Sequence, residues 1–145
     1  MCMMVYVASD RPLPRIPWDK SKPAFCVSDL HECYQAVRKH FSKTHICYVG
    51  AHTGCGCGFQ TSDDPEEDDP ESLAAAQRSR ASLAEFLRSA LKQEPSLELY
   101  ACWADDEACD PEHRGELVPD DLLSSRIRFL ERELLTIVSK RSDQP

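Results

Sequence analysis

The run His45-Ile46-Cys47-Tyr48-Val49-Gly50-Ala51-His52-Thr53-Gly54-Cys55-Gly56-Cys57-Gly58-Phe59 limits what this chain can fold into more than any other part of it. Its first half reads as a short buried strand, from His45 to about His52. Its second half cannot continue one, because glycines alternate with two thiols there and glycine admits backbone conformations that other residues resist. A turn rich in sulfur beside a histidine is a candidate site.

The chemistry of that turn follows from its donors. Amide groups freed at a glycine-rich bend stabilise a thiolate, the form of cysteine that binds metal or attacks an electrophile. His52-x-x-Cys55-x-Cys57 offers one imidazole and two sulfurs, three of the four ligands of a tetrahedral zinc site. Cys109 completes the expected set of His52, Cys55, Cys57 and Cys109; Asp105 or His113 are further donors for that place, and a water there would make the site catalytic. Zinc is expected before iron. A second reading makes Cys55 or Cys57 an activated nucleophile with His52 as its base. In a third, the cysteines only shape a tight turn. Cys2, Cys26, Cys33, Cys47 and Cys102, and His45 in the strand, read as packing residues, since an unpaired cysteine behaves as a small core hydrophobe.

Cys55-Gly56-Cys57-Gly58 followed by Phe59 resembles the cysteine-rich signature of the A-type iron-sulfur carrier family, where the two thiols help to hold a cluster. The resemblance covers these five residues. In that family the signature lies near the end of a β-rich chain and one more residue precedes a Ser-Phe pair; here it is central, Phe59 follows directly, and long helices come after it. The resemblance implies that this local sequence can hold a thiophilic metal, and does not imply kinship.

The rest of the chain supplies the frame. Its 145 residues suit one domain over 1–145, and 41% hydrophobic with 29% charged residues is a globular composition. The apolar start Met1 to Ala8 is too short for a signal peptide and reads as a first strand, so a cytoplasmic location with reduced cysteines is expected. Nothing reads as a membrane segment. The net charge of −8 is local, because seven of the nine residues from Asp63 to Glu71 are acidic. With no basic stripe elsewhere, nucleic-acid binding is disfavoured. The acidic run predicts a mobile surface loop over 61–70. Together with the proline-rich segment Arg11 to Pro23, it offers an alternative function, a non-enzymatic interaction or regulatory domain that binds a protein partner.

Periodicity predicts a short strand at Ala24 to Val27 and a helix opened by an Asp29/Glu32 capping box, with Leu30, Cys33, Tyr34, Val37 and Phe41 on its inner face. A long helix is predicted from Asp69-Pro70-Glu71 to about Gln93, with Arg80 interrupting its apolar stripe either as a snorkelling edge residue or as an anion binder. A strand at Ser96 to Ala104, a turn at His113 to Gly115 and a short helix at Pro119 to Ser124 follow. Residues 125–138 suit either a helix or an extra C-terminal strand, with a strand near Phe129 to Val138 preferred. Alternating strands and helices predict an α/β fold, a small and mostly parallel sheet with two main helices. In such a sheet the loops after the first strand (Ser9, Asp10, Arg11), after the cysteine strand, and after Trp103 (Asp105, Asp106, Cys109) open at one rim.

Overall fold

The computed structural model describes residues 2–60, 66, 68–124 and 128–141. Six strands form one sheet in the order β2-β3-β1-β4-β6-β5, with β1 at Met3–Ser9, β2 at Cys26–Asp29, β3 at His45–Gly50, β4 at Ser96–Trp103, β5 at His113–Leu117 and β6 at Glu133–Val138. The long helix α1, Pro70–Leu91, covers one face. A 3-10 segment, Glu32–His40, covers the other.

The mostly parallel sheet is corrected by the pairing. β1 is antiparallel to both β3 and β4, β2 to β3, and β6 to β4; only β5 and β6 are parallel. Strand and helix order does predict that β3 and β4, joined through α1, run the same way, and they do. What it does not reveal is that β1 inserts between them in the opposite sense. The loops after β3 and β4 therefore share a rim with the beginning of β1, and the loop after Ser9 lies at the far end.

Alternation along β1 explains both layers. Met3, Val5 and Val7 face α1, where Leu83, Phe86 and Leu87 are buried against them; each such side chain contributes about 1.5–3 kcal/mol of burial. Met4, Tyr6 and Ala8 face the 3-10 segment, with Val37, Ile46 and Tyr100. A strand buried on both faces reads as a continuous apolar run, which is what the sequence displays here.

Helix α1 begins where its signals lie: the Asp69 side chain accepts from the Ser72 amide at 2.7 Å, and Pro70 occupies the first turn. The earlier helix departs from expectation. Asp29 belongs to β2, and His31 caps instead, its Nδ1 accepting from the Cys33 amide at 3.0 Å. The segment is 3-10 with a kink at Tyr34, so its residues leave the spacing of an α-helical face, and Cys33 is exposed instead of packed. The proline-rich segment is pinned by the backbone of Ile16, which exchanges two hydrogen bonds with Val27, while Trp18 remains 42% exposed. His113 to Gly115 is strand and not turn, added in parallel beside β6. Most of the predicted mobile loop lies outside the described residues, as do 125–127 of the ambiguous C-terminal stretch; Glu133–Val138 is strand.

Candidate metal centre

The cysteine loop is held against the first residues of β1 by contacts too close for any side chain. After β3, Gly54 turns at φ 86°, its amide bonds the Ala51 carbonyl at 2.8 Å, and the Ala51 amide bonds the Cys55 carbonyl at 3.0 Å. The Tyr48 hydroxyl donates to the Gly54 carbonyl at 2.9 Å and props the bend from the β3 side. Gly56 then opens a short 3-10 turn, Gly56–Phe59, directly over β1: a Cβ on Gly56 would stand 2.7 Å from the Met3 carbonyl oxygen.

That approach brings sulfur from two distant parts of the chain together. The Sγ atoms of Cys2, Cys55 and Cys57 all lie within 4.8 Å of one another. The Met3 amide donates to Cys57 Sγ at 3.1 Å, and Thr53 Oγ1 lies 3.7 Å from Cys55 Sγ. Burial pushes the Cys55 thiol up, but hydrogen bonds from the Cys57 amide, the Thr53 hydroxyl and the Cys57 and Cys2 thiols outweigh it and hold Cys55 below the ordinary thiol value. Burial raises Cys57, and the neighbouring Cys55 sulfur adds to the rise against the opposing Met3 amide. Hydrogen bonding and burial thus move the two loop thiols in opposite directions.

In a tetrahedral zinc site with Zn–S bonds of about 2.3 Å, ligand sulfurs stand about 3.8 Å apart. The triad approaches that spacing. Cys2 is exposed and the two loop cysteines are half-buried, so an ion on the three sulfurs would remain accessible from solvent.

The expected ligand set of His52, Cys55, Cys57 and Cys109 meets this arrangement in half of its members. Cys55 and Cys57 belong to the triad. His52 turns toward α1, where its backbone amide donates to Ser79 Oγ at 3.1 Å and its Nδ1 lies 2.9 Å from the same oxygen. The serine hydroxyl has one proton and two lone pairs, so a neutral ring either accepts from it or donates to it at Nδ1; in both tautomers this nitrogen faces α1, and His52 is not among the donors that gather with the sulfurs. Burial, with help from Arg78, lowers the imidazole pKa and favours that neutral ring. The same contact holds the Nδ1 nitrogen of the proposed general base.

Cys109 leaves the rim for the opposite layer. The loop after β4 bends at Asp105, φ 79°, and is bound to the 3-10 face by three contacts: Tyr6 hydroxyl to Glu107 Oε2 at 2.7 Å, Tyr100 hydroxyl to the Cys109 carbonyl at 2.8 Å, and His40 Nε2 to the Glu107 carbonyl at 2.7 Å. His113 is exposed on β5.

Cys2 is the residue that sequence reasoning assigned to packing. It precedes the first strand, its carbonyl accepts from the Ala104 amide at 2.8 Å, and its side chain is exposed. The signal that finds it is strand direction: antiparallel pairing of the first strand with the cysteine strand sets Cys2 beside Gly-Cys-Gly-Cys. The packing reading holds for Cys26, Cys47 and Cys102, all buried. Burial pushes the Cys47 thiol up to about 12, which keeps it protonated.

Arg80 neither snorkels nor reaches the triad. It is 3% exposed, its Nη1 donates to the Phe59 carbonyl at 2.9 Å, and its Nε has no partner. Burial lowers its pKa. Its bond fastens the end of the Gly56–Phe59 turn to α1, so strand, turn and helix together position the sulfurs. Among the described residues no helix is long and apolar enough to cross a membrane. Comparison with protein-family models, with curated proteins and with solved structures finds no match to this chain.

Proposed function

We propose that this protein binds a thiophilic metal ion, zinc before iron, through the thiolates of Cys2, Cys55 and Cys57, with the fourth position left to water or an incoming ligand. The observation that carries the reading is the meeting of three sulfurs, from the start of β1 and from the loop after β3, within 4.8 Å of one another. Thiolate donors suit zinc, copper(I) and iron–sulfur clusters and disfavour magnesium and calcium. Three protein ligands with an open place are the pattern of zinc sites that act on something, whereas structural sites are closed by four. The fold supports the same distinction. Its core of buried side chains on both faces of a six-stranded sheet does not depend on the triad, so the ion is not needed as a staple.

The test is metal analysis of the reduced protein after equilibration with zinc and removal of excess. One zinc per chain is expected, with cobalt(II) substitution giving the intense near-ultraviolet charge-transfer absorption of thiolate ligation. Cys2→Ser, Cys55→Ser and Cys57→Ser should each weaken zinc binding by at least about tenfold, because each removes a deprotonated ligand. His52→Ala and Cys109→Ser should bind as the parent does. No bound zinc, or loss of zinc in His52→Ala or Cys109→Ser alone, overturns the reading.

A further inference from the structure

The triad is also arranged for covalent chemistry between its members. Cys55 Sγ stands among neighbouring sulfurs, with Thr53 Oγ1 3.7 Å away, and Cys55 remains half-buried rather than sealed in the core. Cys2 Sγ lies within 4.8 Å of it on an exposed side chain, while the Cys2 backbone is fixed by the Ala104 amide. To bond, the two sulfurs must close from within 4.8 Å to about 2.05 Å, and the exposed Cys2 side chain is the one with room to move. Cys57 is less suited as the partner. It is separated from Cys55 by one residue, and its sulfur is held by the Met3 amide at 3.1 Å. Five other cysteines offer no comparable cluster: among the described residues this is the group in which three sulfurs converge.

We infer that hydrogen peroxide oxidises the metal-free triad to a Cys2–Cys55 disulfide, and that a metal ion on the three sulfurs and this disulfide exclude one another. The Cys55 thiolate attacks one peroxide oxygen, an S–O bond forms and the O–O bond breaks. The departing hydroxide takes a proton from solvent and leaves as water, with Cys55 as sulfenic acid. The Cys2 sulfur then attacks the Cys55 sulfur, the S–O bond breaks, and the hydroxide leaves with the Cys2 proton as a second water. Two thiols have lost two electrons and one peroxide has gained them. The disulfide removes two of the three metal ligands, so oxidation releases the ion, and a bound ion occupies the lone pair with which Cys55 attacks. This exclusion rests on the metal reading above; formation of the disulfide does not.

The experiment treats the reduced, metal-free full chain with limiting hydrogen peroxide, blocks remaining thiols by alkylation, and maps the digested protein by mass spectrometry with and without reductant. One Cys2–Cys55 linked peptide per peroxide consumed is expected. In Cys2→Ser, Cys55 should stop at the sulfenic acid and be captured by dimedone, and Cys55→Ser should lose the fast reaction. The zinc-loaded chain should react at least about tenfold more slowly, because thiolate ligation suppresses nucleophilic sulfur. A linkage between other cysteines, or peroxide consumption no faster than in Cys55→Ser, overturns the disulfide. The parent chain supplies the linkage map whether or not either variant folds. A chain that forms the Cys2–Cys55 bond yet binds no zinc removes the metal reading and leaves the disulfide standing.

Discussion

The Met3 amide and the Cys57 sulfur meet at 3.1 Å, across 54 positions of sequence. This hydrogen bond joins the first residue of β1 to the turn that follows β3. The Met3 carbonyl faces Gly56 so closely that no Cβ fits between them. Strand and turn are therefore one unit, and the positions of Cys2, Cys55 and Cys57 are coupled through it.

Gly56→Ala tests that coupling. The added methyl would stand 2.7 Å from the Met3 carbonyl oxygen and 2.7 Å from a Val5 methyl, and the backbone of a central strand cannot yield as a flexible side chain does. The turn must lift instead. Overpacking of this kind costs about 1–3 kcal/mol, read as a lowered denaturation midpoint in urea. Zinc binding should weaken in parallel, although no ligand has been changed. Unaltered stability together with unaltered zinc affinity would mean that the turn is not held by this contact.

Gly54 gives a different response for a different reason. A Cβ there meets nothing within 4 Å, so the position is roomy, yet its φ of 86° is one that an L side chain resists. Gly54→Ala should cost about 1–2 kcal/mol through backbone strain alone. Gly54→Asn should recover part of that loss, since asparagine tolerates the left-handed region better than alanine. Equal unfolding midpoints for the two variants would remove the strain argument.

These glycines also show how far the sequence is readable. The Gly-Cys-Gly-Cys-Gly alternation announces a tight sulfur-bearing turn because glycine's freedom is a local property. The limits of α1 and of β4 are legible for the same reason: an Asp-Pro-Glu start and a β-rich apolar run act over a few residues. Strand direction is not local. Whether β1 runs with or against β3 depends on pairing between Val5 and Val49, 44 positions apart, and periodicity is blind to it. The turning of the Cys109 loop toward the 3-10 face depends likewise on Tyr6 and Glu107, and that of His52 toward α1 on Ser79, each a side-chain partner from another element. Two of the three sulfurs of the triad are legible because they share one loop, and the third is hidden because it is brought in by an antiparallel register.

Arg80 separates packing from charge. Its stem is buried between α1 and the turn, and its guanidinium makes one bond, to the Phe59 carbonyl, with Nε unpartnered. Arg80→Ala leaves a cavity and an unsatisfied carbonyl and should lose about 2–4 kcal/mol. Arg80→Met keeps most of the stem's volume and removes a poorly compensated charge, so its loss should be about 1 kcal/mol or less. Denaturant unfolding measures both. A methionine variant as unstable as the alanine variant would show that the charge, and not the stem, holds the turn.

At the end of the sheet away from the sulfurs, Glu94 governs how stability depends on pH. The residue is 8% exposed; its carboxylate accepts from the Ser9 hydroxyl and from the Asp10 amide at 2.9 Å, and lies 3.5 Å from Lys43 Nζ. Burial alone would raise its pKa, but the Ser9 and Asp10 hydrogen bonds and the Lys43 charge outweigh burial and hold it below the ordinary glutamate value. A carboxyl depressed in the folded state binds its proton more weakly there than in the unfolded chain. Its stabilising contribution is therefore fully present above the unfolded-state pKa, and is lost as the pH falls through the folded-state pKa. Glu94→Gln keeps the shape and removes the titration. At neutral pH the variant should be less stable by about 1.5–3 kcal/mol, the range for hydrogen bonds to a charged group. Below the folded-state pKa the difference should shrink toward zero, because the parent carboxyl is then neutral too. Urea unfolding of both chains from neutral pH down to about pH 3, below the ordinary glutamate value, measures this convergence. Parallel stability curves over that range would show that Glu94 is not the group whose protonation weakens the fold in acid.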